Sequence, residues 1–322
     1  MTTPGTYRHL TQCSTTAGHF VILAIDHRAT LRNKLDEQAG APVSDAAFAA
    51  FKQQVLRHLS PASSAVLADP SSGFGPGIAS GVISGQVGLL APVEVTDYDT
   101  HPSLRSLVLM DGWSVAKIKR VGGAGVKMLI HYHPEADNAQ QVLATVTQIA
   151  EDCVRYDIPF FPEPIPFSPD PTVTLAADEW TQLVIECARV FGAMGAVLKT
   201  PFPVDVKQMP DEVSWGDALA AFDAACPVPW ALLSAGVDYA TFKRQAEAAC
   251  KHGASGIIAG RALWAEAITL QDDAREQFLM TTGRERMEEL AHICAAYATS
   301  WREKVPAPQL DSLWYHDYAD FS

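Results

Sequence analysis

Basic residues are scarce in this chain: 24 Lys and Arg stand against 37 Asp and Glu in 322 residues, a formal net charge of −13. Nucleic acid and anionic membrane surfaces both call for clustered Lys and Arg, so this balance argues against either as a partner. An anionic ligand must then meet a local positive pocket. No apolar run approaches membrane-spanning length, and the opening "MTTPGTYRHLTQCSTT" has no basic segment followed by an apolar one. The six cysteines (Cys13, Cys153, Cys187, Cys226, Cys250, Cys294) fall at no paired spacing, which excludes a disulfide framework or a cysteine metal knuckle and reads as reduced cytosolic thiols. A cytoplasmic protein is expected. There is no G-x-G-x-x-G after the first apolar run, which weakens an open dinucleotide-binding sheet. With no low-complexity linker either, residues 1–322 are expected to form one domain.

What is present is a repeating unit. Eight short apolar runs alternate with helix-compatible stretches: "HFVILAID" ending at Asp26, "SSAVLADP" around Asp69, "VGLLAPV" around Leu90, "GVKMLIHYH" from Gly125, "DIPFFPEP" from Asp157, "MGAVLKT" from Met194, "PWALLSAG" from Pro229 and "SGIIAG" from Ser255. Helical patterns follow, such as "SDAAFAAFKQQVLRHL" after the first run and "DYATFKRQAEAACKHG" after the seventh. Near-continuous apolar strands separated by helices imply a parallel sheet covered on both faces, and eight such units suggest an α/β fold of the (β/α)8 (TIM) barrel type. The segment from "DDAREQF" to "SWREK" reads as extra C-terminal helices, and the tail from about residue 305 as irregular.

Ionisable residues sit at the ends of the strand candidates, where such barrels place their chemistry. Asp26, Lys127, Glu163, Lys199 and Ser234 fall on five different strands, and apolar Ala24, Leu129, Phe161, Val197 and Leu232 lie two residues away on the matching faces. A single charge of this kind is often only a strand-end salt bridge. Two lysines and two carboxylates aimed at one cavity are harder to read that way. A lysine amine attacks a carbonyl only when neutral, and desolvation with a second cation nearby favours the neutral form, so Lys127 is expected to act on Lys199 in this way. Glu163 and Asp26 would move the protons, and the apolar "FFPEP" context predicts a raised pKa for Glu163. Strands seven and eight end in "SAGVD" and "AGRALW", where Ser234, Gly236, Gly260 and Arg261 fit an anion site.

These stretches resemble the class I tagatose-1,6-bisphosphate aldolases and the related sulfofructose-phosphate aldolases. The similarity runs through "LAIDHR" (Leu23 to Arg28), "VLADPSSG", "GLLAPVEVTDYDT", "WSVAKIKRVGGAGVKMLI", "DIPFFPEP", "VLKTPFP", "LLSAGV", "AGRALW" and "TTGRERMEEL", in order over nearly the whole chain. The resemblance implies a Schiff-base aldolase with Lys199 as nucleophile, Glu163 as principal acid/base, and Asp26 and Lys127 assisting. Ser234, Gly236, Gly260 and Arg261 would hold the terminal anion, and His27 and Arg28 would contact substrate. It implies a phosphorylated or sulfonated ketose as substrate, tagatose 1,6-bisphosphate first and sulfofructose 1-phosphate second, with no cofactor and no metal, in a homo-oligomer. The chain departs from the family at His27, where members carry Gln, and at Pro201, where they carry Glu.

Two other classes compete. The "HYH" of His131 and His133 suits a divalent metal, although only His131 shares a face with Lys127, whose ammonium would repel the cation. A non-catalytic sugar-phosphate sensor is the second alternative.

Overall fold

The fold was described from a computed structural model, which covers residues 2–316 and 318. All eight expected strands form: β1 Phe20–Ile25, β2 Ala65–Ala68, β3 Gly88–Pro92, β4 Gly125–Tyr132, β5 Phe160–Pro166, β6 Leu198–Thr200, β7 Trp230–Leu233 and β8 Gly256–Ala259. They make one parallel sheet in the order β5-β4-β3-β2-β1-β8-β7-β6. The remaining seam is bridged where the N–H groups of Ala196 and Val197 donate to the Phe160 carbonyl at 2.9 and 3.3 Å. The result is a (β/α)8 barrel.

Alternation along each strand divides the side chains between two cores. Phe20, Ile22 and Ala24 of β1 pack in the barrel interior with Leu67, Leu90, Phe161, Val197, Ala231 and Ile258. Their neighbours Val21, Leu23 and Ile25 join Val66, Met128, Trp230 and Leu232 beneath the helices. Leu10 and Cys13 of the helix Pro4–Cys13, together with Trp301, belong to the interior cluster and close its floor. Gly256 permits the tightest strand approach: its φ is +135° and a Cβ there would lie 1.9 Å from the Phe20 carbonyl oxygen.

The helices follow the local signals that begin them. Ser44 accepts from the Ala47 N–H at the start of Asp45–Leu59, and Asp238 does the same for Thr241 at the start of Tyr239–Lys251. The extra C-terminal helices are Asp272–Phe278 and Arg284–Tyr297. The crossovers after β2 and β3 are irregular. The first holds only the short segments Pro70–Phe74 and Gly75–Ala79. The second is a long loop pinned by a bridge between Glu94 and Leu109 before the short helix Val115–Arg120. The described part of the tail is irregular apart from the turn Trp314–His316, and residues 317 and 319–322 lie outside the described positions. All six cysteines are buried and free. Among the described residues no helix is long and apolar enough to cross a membrane.

A buried ion pair ties the helix layer to the barrel mouth. Lys52 of Asp45–Leu59 meets Asp69 just after β2, both side chains fully buried, and Asp69 also accepts from the Ser72 N–H at 3.0 Å and the Ser71 hydroxyl at 2.9 Å. Removing one member leaves the other charge uncompensated away from water. Lys52→Ala is therefore expected to lower stability by about 3–5 kcal/mol in urea unfolding. A loss below about 1 kcal/mol would show that Asp69 finds another partner.

Candidate active site

Two residues above the interior apolar layer, the strands change from hydrocarbon to charge. Asp26 follows Ala24, Glu163 follows Phe161 and Lys199 follows Val197, and Lys127 stands on β4 two residues before Leu129. These side chains line one cavity of about 220 Å³, together with His27, Arg28 and Arg261. The barrel geometry thus gathers four strands' worth of ionisable groups at their carboxyl ends.

Lys127 is the centre of the arrangement. Its Nζ lies 2.8 Å from Glu163, 3.0 Å from Glu94 and 3.1 Å from Asp26, and the side chain is almost wholly buried. Burial alone would lower its pKa, but Asp26, Glu163 and Glu94 hold it well above the ordinary lysine value. Glu163 reaches two cations, since its other oxygen lies 2.9 Å from the Lys199 Nζ. The two lysines therefore communicate through a shared carboxylate instead of facing each other as bare charges.

The charge state of Glu163 corrects the expectation of a raised pKa. Burial does push it up, but Lys127 and Lys199 outweigh burial, and the carboxyl is held below its ordinary value. Asp26 behaves alike: burial raises it, and Lys127, Lys199 and His27 together pull it well below the usual carboxylate range. Glu94 goes the other way. Its burial prevails over Lys127 and Arg28 and leaves its pKa raised. The site thus pairs carboxylates of opposite tendency, Glu163 poised to accept a proton and Glu94 inclined to keep one.

Glu94 is the site residue that the strand-end reading missed. It stands just beyond β3, almost wholly buried, and bonds to Lys127 while Arg28 donates to its backbone carbonyl at 2.7 Å. The signal was the interior face of β3 carried on from Leu90 through Pro92 to position 94. Arg28 is further committed, with Nη1 2.9 Å from the Met110 sulfur and Nη2 3.7 Å from the Glu94 carboxylate. His27 packs edge-on against Trp264 at 5.2 Å, 4.0 Å from Asp26. Burial, reinforced by Arg261 and Lys199, brings its pKa down to about 4 despite Asp26, so the ring is neutral near pH 7.

The anion candidates divide. Arg261 lines the cavity and makes no ion pair among the described residues. Gly236, with φ +80°, lies against it: a Cβ there would sit 2.9 Å from the Arg261 Cζ. Ser234, Gly236 and Gly260 flank the cavity and do not line it. The matching face assigned to Ser234 needs correcting. Leu232 packs under the helices, the interior residue of β7 is Ala231, and Leu233 lines the cavity; the buried Ser234 hydroxyl accepts from the Gly260 N–H at 3.5 Å. Pro201 also lines the cavity.

The two histidines of "HYH" diverge. His131 lines the cavity and accepts at Nδ1 from Arg105 at 2.8 Å, whereas His133 is buried and accepts at Nδ1 from the Glu135 N–H. Among the described residues no three His, Cys, Asp or Glu side chains converge as metal ligands.

The family model for DeoC/LacD family aldolases matches residues 20–266, and the chain belongs to that family. Tagatose 1,6-diphosphate aldolase 2 of Streptococcus agalactiae serotype III (strain NEM316) is 32% identical over 322 residues, covering 92% of this chain and 98% of that protein. Tagatose 1,6-diphosphate aldolase 1 of Streptococcus mutans serotype c (strain ATCC 700610 / UA159) is 32% identical over 307 residues, covering 88% and 93%. Among solved structures, fructose-bisphosphate aldolase from Plasmodium falciparum shares the fold, with a TM-score of 0.69 at 14% identity over 92% of this chain and 97% of that one. The protein is an aldolase.

Because Lys127 is a principal force holding Glu163 ionised, Lys127→Met should move the Glu163 pKa upward as burial goes less opposed. Carbon-13 NMR titration of labelled glutamate carboxyls reads this directly. An unchanged Glu163 midpoint would mean that Lys199 alone sets its charge.

Proposed function

We propose that the protein is a class I aldolase in which Lys199 forms a Schiff base with a ketose 1-phosphate, releasing an aldehyde and dihydroxyacetone phosphate. The observation that carries this reading is the single carboxylate, Glu163, held between the ammonium groups of Lys127 and Lys199 at 2.8 and 2.9 Å. An amine must lose a proton to attack, and Glu163 is within reach to take it. The neutral Lys199 adds to the ketose C2 carbonyl, and the carbinolamine then loses water to give an iminium. Removal of the C4 hydroxyl proton breaks the C3–C4 bond and frees the aldehyde, the electrons passing into an enamine. Protonation at C3 and hydrolysis return the amine and release dihydroxyacetone phosphate. Lys127, pinned by three carboxylates, stays charged throughout and fixes Glu163 and Asp26 as proton carriers.

Arg261 is the ligand of the 1-phosphate in this reading, with N–H groups of the Gly236 and Gly260 loops beside it. Its freedom from carboxylate partners supports the role. The names of the relatives make tagatose 1,6-bisphosphate the first ketose to assay, with sulfofructose 1-phosphate second.

Borohydride reduction in the presence of dihydroxyacetone phosphate should add a stable mass to the peptide holding Lys199. Full labelling in Lys199→Ala would reject Lys199 as nucleophile. Arg261→Ala should raise KM for a ketose 1-phosphate by about 10- to 100-fold, the range of a charged hydrogen bond, with a smaller effect on kcat. An unchanged KM would place the anion elsewhere.

A further inference from the structure

Accepting Lys199 and Arg261 in the roles just given, the far half of the substrate has a fixed place. In the ring of eight strands, β4 lies four positions from β8, on the opposite wall. A ketose whose 1-phosphate rests against Arg261 at the end of β8 must extend toward β4. There the wall carries His131, paired in register with Ile165 one step nearer the mouth than Leu129 and Glu163. His131, Leu129, Ile165 and Tyr98 all line the cavity.

The His131 ring is set by its neighbour. Arg105 Nη2 lies 2.8 Å from Nδ1, and a guanidinium only donates, so Nδ1 accepts and the proton sits on Nε2. Burial, helped by Arg105, brings the pKa down to about 4, which keeps this form near neutral pH. Among the described residues Nε2 has no hydrogen-bond partner.

Charge separates the two ends. Four cations line the cavity: Arg28, Lys127, Lys199 and Arg261. Arg28 is held by Glu94 and Met110, Lys127 by three carboxylates and Lys199 by Glu163, which leaves Arg261 as the one without an ion pair among the described residues. Arg105 stands behind His131; it does not line this cavity, and its Nη1 is buried. A second phosphate or a sulfonate on the β4 side would meet Leu129, Ile165 and Tyr98 with no free counter-charge, a costly placement. We propose that the aldehyde half of the substrate ends in an uncharged, hydroxyl-bearing group, received by the Nε2–H of His131, which Arg105 holds in that tautomer.

The test is condensation of dihydroxyacetone phosphate with glyceraldehyde, glyceraldehyde 3-phosphate and propanal, in the wild-type enzyme, His131→Phe and His131→Asn. Borohydride trapping and C3 proton exchange with dihydroxyacetone phosphate alone report the half-reaction that never reaches His131. The wild type should favour glyceraldehyde over glyceraldehyde 3-phosphate by at least about tenfold in kcat/KM. His131→Phe should lose about tenfold with glyceraldehyde, as expected for one neutral hydrogen bond, lose little with propanal, and keep trapping and exchange; His131→Asn, which retains an N–H donor, should recover part of the loss. Normal trapping with a preference for glyceraldehyde 3-phosphate overturns this proposal alone. Equal losses with all aldehydes and in exchange overturn the role of His131. Absence of trapping in the wild type overturns the Schiff-base reading, and this one with it. The wild-type aldehyde series stands even if His131→Phe does not fold.

Discussion

A charged amine at the centre of a protein is costly unless its hydration is replaced, and the site depends on how Lys127 meets that condition. Three carboxylates from β1, the loop after β3, and β5 surround its Nζ within 3.1 Å. Those groups would in turn be costly without the ammonium, so none of the four is stable alone in this place. The cluster fixes where Glu163 points, and through Glu163 it fixes Lys199, 2.9 Å further on. Geometry and charge state come from the same contacts: the cations that orient Glu163 also keep it ionised against the effect of burial.

The rest of the barrel makes that cluster possible. Below it the interior is filled by apolar side chains such as Phe161, Val197 and Ile258, over a floor made by Leu10, Cys13 and Trp301. This packing excludes water from beneath the charges, which strengthens each ion pair. Above it, the long loop after β3 brings Glu94, Thr96 and Tyr98 to the mouth, and a helix-for-loop exchange at this crossover would remove the third carboxylate from Lys127. The β7 and β8 loops supply the opposite character, an unpaired Arg261 lying against Gly236.

Much of this was legible in the sequence because period-two alternation in a closed barrel converts residue number into direction. All eight strands and the convergence of Asp26, Lys127, Glu163 and Lys199 follow from counting in twos from apolar neighbours. Counting failed for Ser234, because β7 ends at Leu233 and its interior residues are Ala231 and Leu233. Glu94 escaped because it lies beyond the end of β3, where the same face continues without strand pairing. The Lys52–Asp69 pair joins a helix to a distant strand end, and nothing in local pattern couples them. The direction of the Glu163 shift was misjudged for a related reason: "FFPEP" advertises the apolar neighbours in sequence, whereas the two cations that decide the matter arrive from β4 and β6.

The central claim is that Lys127 contributes to catalysis by holding Glu163. A double-mutant cycle on kcat tests it most directly, comparing the wild type, Lys127→Met, Glu163→Gln and the double variant, each verified as folded. With Glu163 already neutralised, loss of Lys127 should cost little more, so the double variant should be about as slow as the slower single variant. Losses that multiply independently would contradict the account and assign Lys127 a separate task.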